Sequence, residues 1–134
     1  MQKILLIEDD IHFQTVLATL LQRSGFMVDT VFEGHEGIER AKSGGYNLVI
    51  TDIHMPDTDG INVIQNIKAF NENLPIVAIS GGATFQKNDM SKLHQARHLD
   101  INAVFKKPFE HEEFIEKVRE LLGIKPEDLD EEAV

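Results

Sequence analysis

The sequence predicts an α/β domain built on a parallel β-sheet. Short apolar runs alternate with segments whose apolar residues repeat at helical spacing, and five such pairs follow one another along the 134-residue chain. The apolar runs are continuous rather than alternating, which is typical of strands that helices cover on both faces. A hydrophobic fraction of 42% with 27% charged residues suits one folded domain with a single core.

The first half of the chain contains the first three predicted strands and the first two helices. Acidic residues close the first apolar run, and Gly25 ends the helix that follows. A weaker second helix places Ile38 and Ala41 on its inner face and ends at a pair of glycines. The predicted strands cover residues 4–7, 26–32 and 48–51, the second helix covers 36–42, and the apolar positions of the first helix are Phe13, Val16, Leu17, Leu20 and Leu21.

The second half adds two strands and three helices. A helix follows Gly60, and Pro75 introduces the fourth strand. The polar, glycine-rich residues 81–89 predict a mobile loop, and the last helix has glutamates in its first turn. The predicted elements are a helix with Ile61, Ile64, Ile67, Lys68 and Phe70, strands at 76–80 and 103–105, a helix near 90–99, and a helix with Phe114, Ile115, Val118, Leu121 and Leu122.

Composition excludes several classes of function. The chain has no cysteine, so neither disulfides nor thiolate chemistry are available. A net charge of -10 argues against direct binding to nucleic acid or to an anionic membrane. The sequence has no apolar run of transmembrane length and no signal-peptide pattern, so we expect a cytoplasmic protein. We place the domain at residues 1–122 and an acidic, flexible tail at 123–134.

Polar side chains stand where the predicted strands end. In a parallel α/β sheet the carboxyl ends of the strands share one edge, and ligands bind beyond that edge. Each of these residues alone is explained as a turn residue or a solvated charge, but their convergence predicts a site. They are Glu8 and Asp9 after the first strand, Asp52 after the third, Ser80 at the end of the fourth, and Lys107 after the fifth.

The residue types at this edge suit phosphoryl transfer. Carboxylates brought close together repel one another, so they raise a pKa or recruit a cation. Oxygen ligands favour a hard divalent ion such as Mg²⁺. Asp52 can then attack phosphorus and form an acyl phosphate, while the metal and Lys107 neutralise charge on the transferring group. Ser80 can donate a hydrogen bond to a phosphoryl oxygen.

Several short motifs resemble the receiver domain of two-component response regulators, over a span from about Lys3 to Leu122. The resemblance implies a flavodoxin-like (βα)5 three-layer sandwich, with a five-stranded parallel sheet in the order 2-1-3-4-5. The motifs are Lys3 to Asp9, Asp52 to Gly60 with its Met55-Pro56 pair, Pro75 to Ser80, and Phe105 to Phe109.

The resemblance also implies roles for individual residues. Asp52 is the implied phosphoacceptor, and Ser80 and Lys107 would contact the phosphoryl group. A cis peptide bond is implied before Pro108, which is physically reasonable because X-Pro bonds pay little for the cis form. Such a domain is a regulator that promotes its own phosphorylation and dephosphorylation rather than an enzyme. The implied Mg²⁺ ligands are Glu8, Asp9, Asp52 and the main-chain carbonyl of His54.

The same resemblance implies protein partners. A sensor histidine kinase or a histidine phosphotransfer protein would donate the phosphoryl group. The added charge would bias the face formed by the fourth helix, the fifth strand and the last helix toward an unidentified output protein, as in single-domain regulators. A tail that begins a longer linker at Gly123 is the alternative. Phosphorylation-linked homodimerisation through the same face is left open.

Three features depart from the usual receiver pattern. Val104 occupies the place of an aromatic residue that normally couples to the position of Ser80. The segment between the fourth and fifth strands is several residues longer than expected, and we hypothesise that residues 80–88 reorder on phosphorylation. His54 and Gly82 occupy positions that in this family tend to set the dephosphorylation rate.

Two other functions stay open at this stage. The first is an enzyme that turns over small phosphoesters through an aspartyl-phosphate intermediate. That chemistry usually needs a second acid two residues after the nucleophile, where His54 stands. The second is a degenerate receiver that acts only as a phosphorylation-independent interaction module. The intact acidic residues and lysine speak against it, while Val104 leaves it open.

Overall fold

The computed structural model describes residues 2–55, 57–81, 99 and 101–125. The predicted helix near 90–99, the predicted loop after the fourth strand and most of the predicted tail lie outside these residues. No helix in the described part of the chain is long and apolar enough to cross a lipid bilayer. The elements are β1 (Lys3–Ile7), α1 (Ile11–Arg23), β2 (Met27–Val31), α2 (Gly34–Ser43), β3 (Leu48–Asp52), α3 (Gly60–Phe70), β4 (Ile76–Gly81), β5 (Ala103–Lys107) and α4 (His111–Leu121).

The sheet has five parallel strands in the order β2-β1-β3-β4-β5, which confirms the predicted flavodoxin-like fold. Its register determines which residues meet at the carboxyl edge. Ile7 pairs with Thr51, so Glu8 is level with Asp52. Asp52 in turn pairs with Ile79, so Ser80, the residue after Ile79, lies one position beyond the level of Asp52.

Two hydrophobic clusters cover the two faces of the sheet. Leu5 and Ile7 of β1 belong to the cluster that packs under α2 and α3, whereas Ile4 and Leu6 belong to the cluster under α1 and α4. All four side chains are fully buried. A strand buried on both faces needs apolar side chains at every position, which explains the continuous apolar runs of the sequence.

Two apolar residues of the predicted helical patterns face solvent. Val16 is 51% exposed and Phe70 is 53% exposed. The buried stripe of α1 passes instead through Gln14, Leu17 and Leu21, because the Gln14 amide has backbone partners inside the molecule. An apolar residue can therefore face solvent when a neighbouring polar residue takes the inner position.

The chain turns sharply between β3 and α3, and Gly60 makes this possible. Its backbone N–H donates to the carbonyl of Ile53 at 2.9 Å. A Cβ at this position would collide with the carbonyl oxygen of Asp52 and with Cα of Ile53. The Asp59 carboxylate begins α3 by accepting from the N–H of Ile61 at 2.8 Å. Helix α3 thus starts directly against the end of β3.

Candidate functional site

A buried ion-pair network lies at the carboxyl edge of the sheet. The Lys107 ammonium is 3.1 Å from Asp52 Oδ2 and 3.4 Å from Glu8 Oε2. Glu8 is fully buried and Asp52 is nearly so, while the lysine side chain is 14% exposed. Strand β5 extends to Lys107, two residues beyond its predicted end at Phe105, so Lys107 is the last residue of the strand.

Asp9 joins the two buried carboxylates to form an acidic cluster. Glu8, Asp9 and Asp52 each offer an oxygen, and these oxygens all lie within 4.8 Å of one another. Asp9 is exposed, so one side of the cluster is open to solvent. A donor set made only of carboxylate oxygens fits a hard divalent cation such as Mg²⁺ better than a softer transition metal.

The turn after β3 fixes the orientation of the Asp52 side chain. The N–H of His54 donates to Asp52 Oδ1 at 2.8 Å, so the other carboxylate oxygen faces Lys107. The His54 ring also reaches β4, where its Nε2 lies 3.4 Å from the hydroxyl of Ser80. Ser80 is fully buried and follows the register partner of Asp52. The serine hydroxyl is thereby placed at the same edge.

The electrostatics of the site reflect an excess of negative charge. Burial, together with the charge of Asp52 and a hydrogen bond to it, raises the pKa of Glu8 to about 8. Burial and the charge of Asp52 likewise raise the pKa of Asp9. Burial alone would lower the pKa of Lys107, but Asp52 and Glu8 raise it. The network therefore favours a proton on Glu8 or the arrival of a further cation.

Gln14 supports the site from behind and was missed by the sequence analysis. Its buried amide donates to the carbonyls of Glu8 and Val31, both at 3.1 Å. These contacts connect the acidic end of β1 to α1 and β2. A signal was present in the sequence, since Gln14 is a polar residue at helical spacing from Leu17 and Leu21.

Asp57 links the loop after β3 to helix α2 and was also missed. Its two carboxylate oxygens accept from the N–H groups of Gly34 and His35 at 3.0 and 3.1 Å. Burial alone would raise the pKa of Asp57, but these and other backbone hydrogen bonds lower it. Helix α2 has no side-chain cap from its own N-cap residue, so Asp57 supplies one from the loop. Only the packing of the two elements reveals this contact.

The structure brings the predicted site residues to one edge, although their chemical roles stay predictions. The cis peptide bond between Lys107 and Pro108 is confirmed. Val104 packs against the hydrophobic core, and Gly82 lies outside the described residues. The residues that gather at the edge are Glu8, Asp9, Asp52, His54, Ser80 and Lys107.

Strand order and site together define the class of protein. A five-stranded parallel sheet in the order β2-β1-β3-β4-β5, with an acidic cluster at its carboxyl edge, is a flavodoxin-like architecture. The chain belongs to the response regulator receiver domain family, whose family model matches residues 4–119.

The curated relatives of the chain include named transcriptional regulators. The chain is 30% identical to the transcriptional regulatory protein CusR of Escherichia coli K12, with 90% of this chain and 51% of that protein covered. It is 32% identical to the probable transcriptional regulatory protein SilR of Salmonella typhimurium, with 90% and 50% covered. The chain thus spans about half the length of the curated relatives it matches.

Solved structures show the same fold. A CheY-like receiver domain protein from Methanospirillum hungatei superposes with a TM-score of 0.83 at 20% identity, covering 92% of this chain and 94% of that one. The receiver domain of the sensor histidine kinase PA1611 from Pseudomonas aeruginosa gives a TM-score of 0.80 at 28% identity, covering 91% and 98%. That receiver has a magnesium ion coordinated in its active site cleft.

Proposed function

We propose that this chain is a phosphoaccepting receiver, in which Asp52 takes a phosphoryl group from a histidine kinase or a histidine phosphotransfer protein. The observation that carries the proposal is the Lys107 ammonium, 3.1 Å from Asp52 Oδ2 beside a cluster of carboxylate oxygens. A nucleophilic carboxylate, a fixed cation and a cation-binding acidic cluster are what an aspartyl-phosphate reaction requires. Membership of the receiver family supports the same assignment.

Residues of this chain have separate roles in the proposed phosphoryl transfer. One Asp52 oxygen forms a bond to phosphorus as the phosphorus–nitrogen bond of the donor breaks, and the donor imidazole keeps the electron pair and takes a proton from solvent. The His54 N–H holds Oδ1 of Asp52, which orients the carboxylate for attack. Lys107 offsets negative charge on the phosphoryl oxygens, and the Ser80 hydroxyl donates to one of them.

Magnesium is the proposed cofactor. Glu8, Asp9, Asp52 and the main-chain carbonyl of His54 would hold it, and the closeness of the three carboxylates supports this set. When bound, Mg²⁺ would neutralise negative charge on the phosphoryl oxygens. Its positive charge would also favour the ionised form of Glu8, whose pKa is raised by burial.

Signal output is proposed to pass through the face that includes β5 and the last helix, α4 (His111–Leu121). We place the receiver at residues 1–122, acting in the cytoplasm, with the acidic residues 123–134 as a tail or the start of a linker. The recipient is another protein or, as in relatives of about twice this length that are named transcriptional regulators, a further part of a longer polypeptide. Phosphorylation-linked dimerisation through this face is a subsidiary proposal.

Intact mass spectrometry tests the chemistry. Wild type, Asp52→Asn and, as a control on the same loop, Asp57→Asn are incubated with acetyl phosphate, with and without MgCl₂. We expect a gain of one phosphoryl group that requires Mg²⁺ and Asp52 but survives in the Asp57 variant. No gain in a folded wild type, repeated with a purified phosphohistidine donor, would favour the interaction module. Sustained turnover of p-nitrophenyl phosphate would favour the phosphoesterase.

A further inference from the structure

The Lys107 ammonium has an aromatic neighbour as well as two acidic ones. Its Nζ lies over the ring of Phe13, 4.0 Å from the ring centroid. Asp52 and Glu8 approach the same nitrogen at 3.1 and 3.4 Å. A cation over the face of an aromatic ring is attracted by the negative potential of the π system, and the attraction grows as water is excluded. Since the lysine side chain is only 14% exposed, the contact is largely desolvated.

The backbone that carries Phe13 is held tightly next to the acidic cluster. Phe13 lies in the first turn of α1, and its own N–H donates to the capping carboxylate of Asp10 at 3.2 Å. The next residue, Gln14, donates to the carbonyl of Glu8 at 3.1 Å. Phe13 and its neighbour Gln14 are thus both anchored, and the groups that anchor them, on Asp10 and Glu8, belong to the β1–α1 connection.

The Phe13 ring is supported from the protein side by further aromatic residues. Phe109 meets it edge to face, with ring centroids 5.9 Å apart and an interplanar angle of 86°. Phe109 in turn stacks on Phe114, at 5.1 Å and 28°. Edge-to-face and offset arrangements are the favoured geometries of aromatic pairs. The ring therefore has little freedom to turn away from the lysine.

We infer that Phe13 is a positioning residue for phosphoryl transfer, whose ring face holds the Lys107 ammonium over the Asp52 carboxylate. Lysine has a long, flexible stem, so its ammonium must be confined to act at one phosphoryl oxygen. The two carboxylates pull the ammonium inward, and the ring closes a further side where water would otherwise compete. This inference rests on the proposed role of Lys107 in the receiver reaction.

Kinetics with acetyl phosphate test the inference, using the full chain in saturating MgCl₂. In Phe13→Leu the apolar bulk is largely kept while the π face is lost. We expect the maximal phosphorylation rate to fall about fivefold, as for loss of a partly desolvated cation–π contact, with little change in KM. Phe13→Tyr keeps the ring and should recover most of the rate. Phe105→Leu is the matched control, since the Phe105 ring packs on Phe109 and Phe114.

A spectroscopic readout separates positioning from general packing. Ring currents shift protons above an aromatic face upfield, so the ε-methylene protons of Lys107 should resonate upfield of those of the other lysines. We expect the shift to be present in wild type, Phe13→Tyr and Phe105→Leu, and absent in Phe13→Leu. This measurement needs neither Mg²⁺ nor phosphorylation, and the spectra also report whether each variant is folded.

The possible results distinguish the inference from the proposed function. A wild type that gains no phosphoryl group from any donor defeats the proposed function, and the inference with it. If the wild type is phosphorylated and folded Phe13→Leu has a maximal phosphorylation rate within about twofold of it, only the inference is overturned. The inference is also overturned if Phe13→Tyr or Phe105→Leu loses as much phosphorylation rate as Phe13→Leu, because the Phe13 ring would then act only through packing.

Discussion

Replacing Glu8 by glutamine should change how the stability of the protein depends on pH. Glu8 is fully buried beside Asp52, and burial raises its pKa from 4.5 to about 8. Glutamine keeps the shape of the side chain and can still accept the hydrogen bond from the N–H of Asp10, which is 3.1 Å long in the wild type. Glutamine is uncharged at every pH and therefore mimics the protonated form of Glu8.

The sign follows from proton linkage. Between pH 4.5 and about 8 the unfolded chain loses the Glu8 proton while the folded protein keeps it. The free energy of unfolding of the metal-free wild type therefore falls as pH rises through this window, by at most about 1.4 kcal/mol per pH unit. Over the whole window the ceiling is about 5 kcal/mol, which is comparable with the total stability of a small domain.

Urea unfolding of wild type and Glu8→Gln, followed by far-UV circular dichroism in EDTA, measures this effect. Subtracting the free energy of unfolding of one protein from that of the other at each pH cancels the contributions of the histidines and of general charge repulsion. We expect the variants to be similar near pH 4.5 and Glu8→Gln to be more stable by several kcal/mol at pH 8. MgCl₂ should reduce the difference in stability between the two proteins at pH 8, because it should stabilise the wild type. A difference that is constant with pH, or that favours the wild type as pH rises, would refute the reasoning.

Three further predictions concern the surroundings of the site. Asp57→Ala removes two hydrogen bonds to α2 and should cost about 1–2 kcal/mol at pH 7 by chemical denaturation. Because the folded-state pKa of Asp57 is lowered, this deficit should shrink in acid, and a deficit independent of pH would contradict the assignment. Gly60→Ala should lower the free energy of unfolding by about 2 kcal/mol or more and shift the NMR resonances of the amides next to Asp52. An unchanged spectrum would show that the turn accommodates a Cβ and would contradict this prediction. Tyr46→Phe loses the 2.6 Å hydrogen bond to Asp29 and should cost about 1 kcal/mol in thermal unfolding, with no effect on phosphorylation.

The sheet and the acidic edge could be predicted because each depends on a local pattern. Continuous apolar runs mark strands buried on both faces, and charged residues directly after them must lie at the carboxyl edge. The pairing of Ile7 with Thr51 then brings Glu8 level with Asp52 without any further information. The site could thus be predicted from residues that lie within two positions of a strand end.

Other contacts were not readable because they depend on how separate elements pack. The inner face of α1 differs from the predicted one because Gln14, and not Val16, finds partners inside. The contact between Asp57 and α2 joins residues that are 22 and 23 positions apart. Phe13 reads as an ordinary core residue of α1, and only the three-dimensional structure places Lys107 over its ring. Side-chain contacts across elements carry no periodic signal in a single sequence.

The loop after β3 has a length that evolution or engineering cannot easily alter. At one end Asp52 is fixed by its strand, and at the other Gly60 packs against the backbone of Ile53. Between them, Asp57 must reach the start of α2. Inserting or deleting one residue in 53–59 would break at least one of these contacts. Length variation among relatives of this chain should therefore concentrate in connections away from this loop, and peptide insertions for tagging should avoid it.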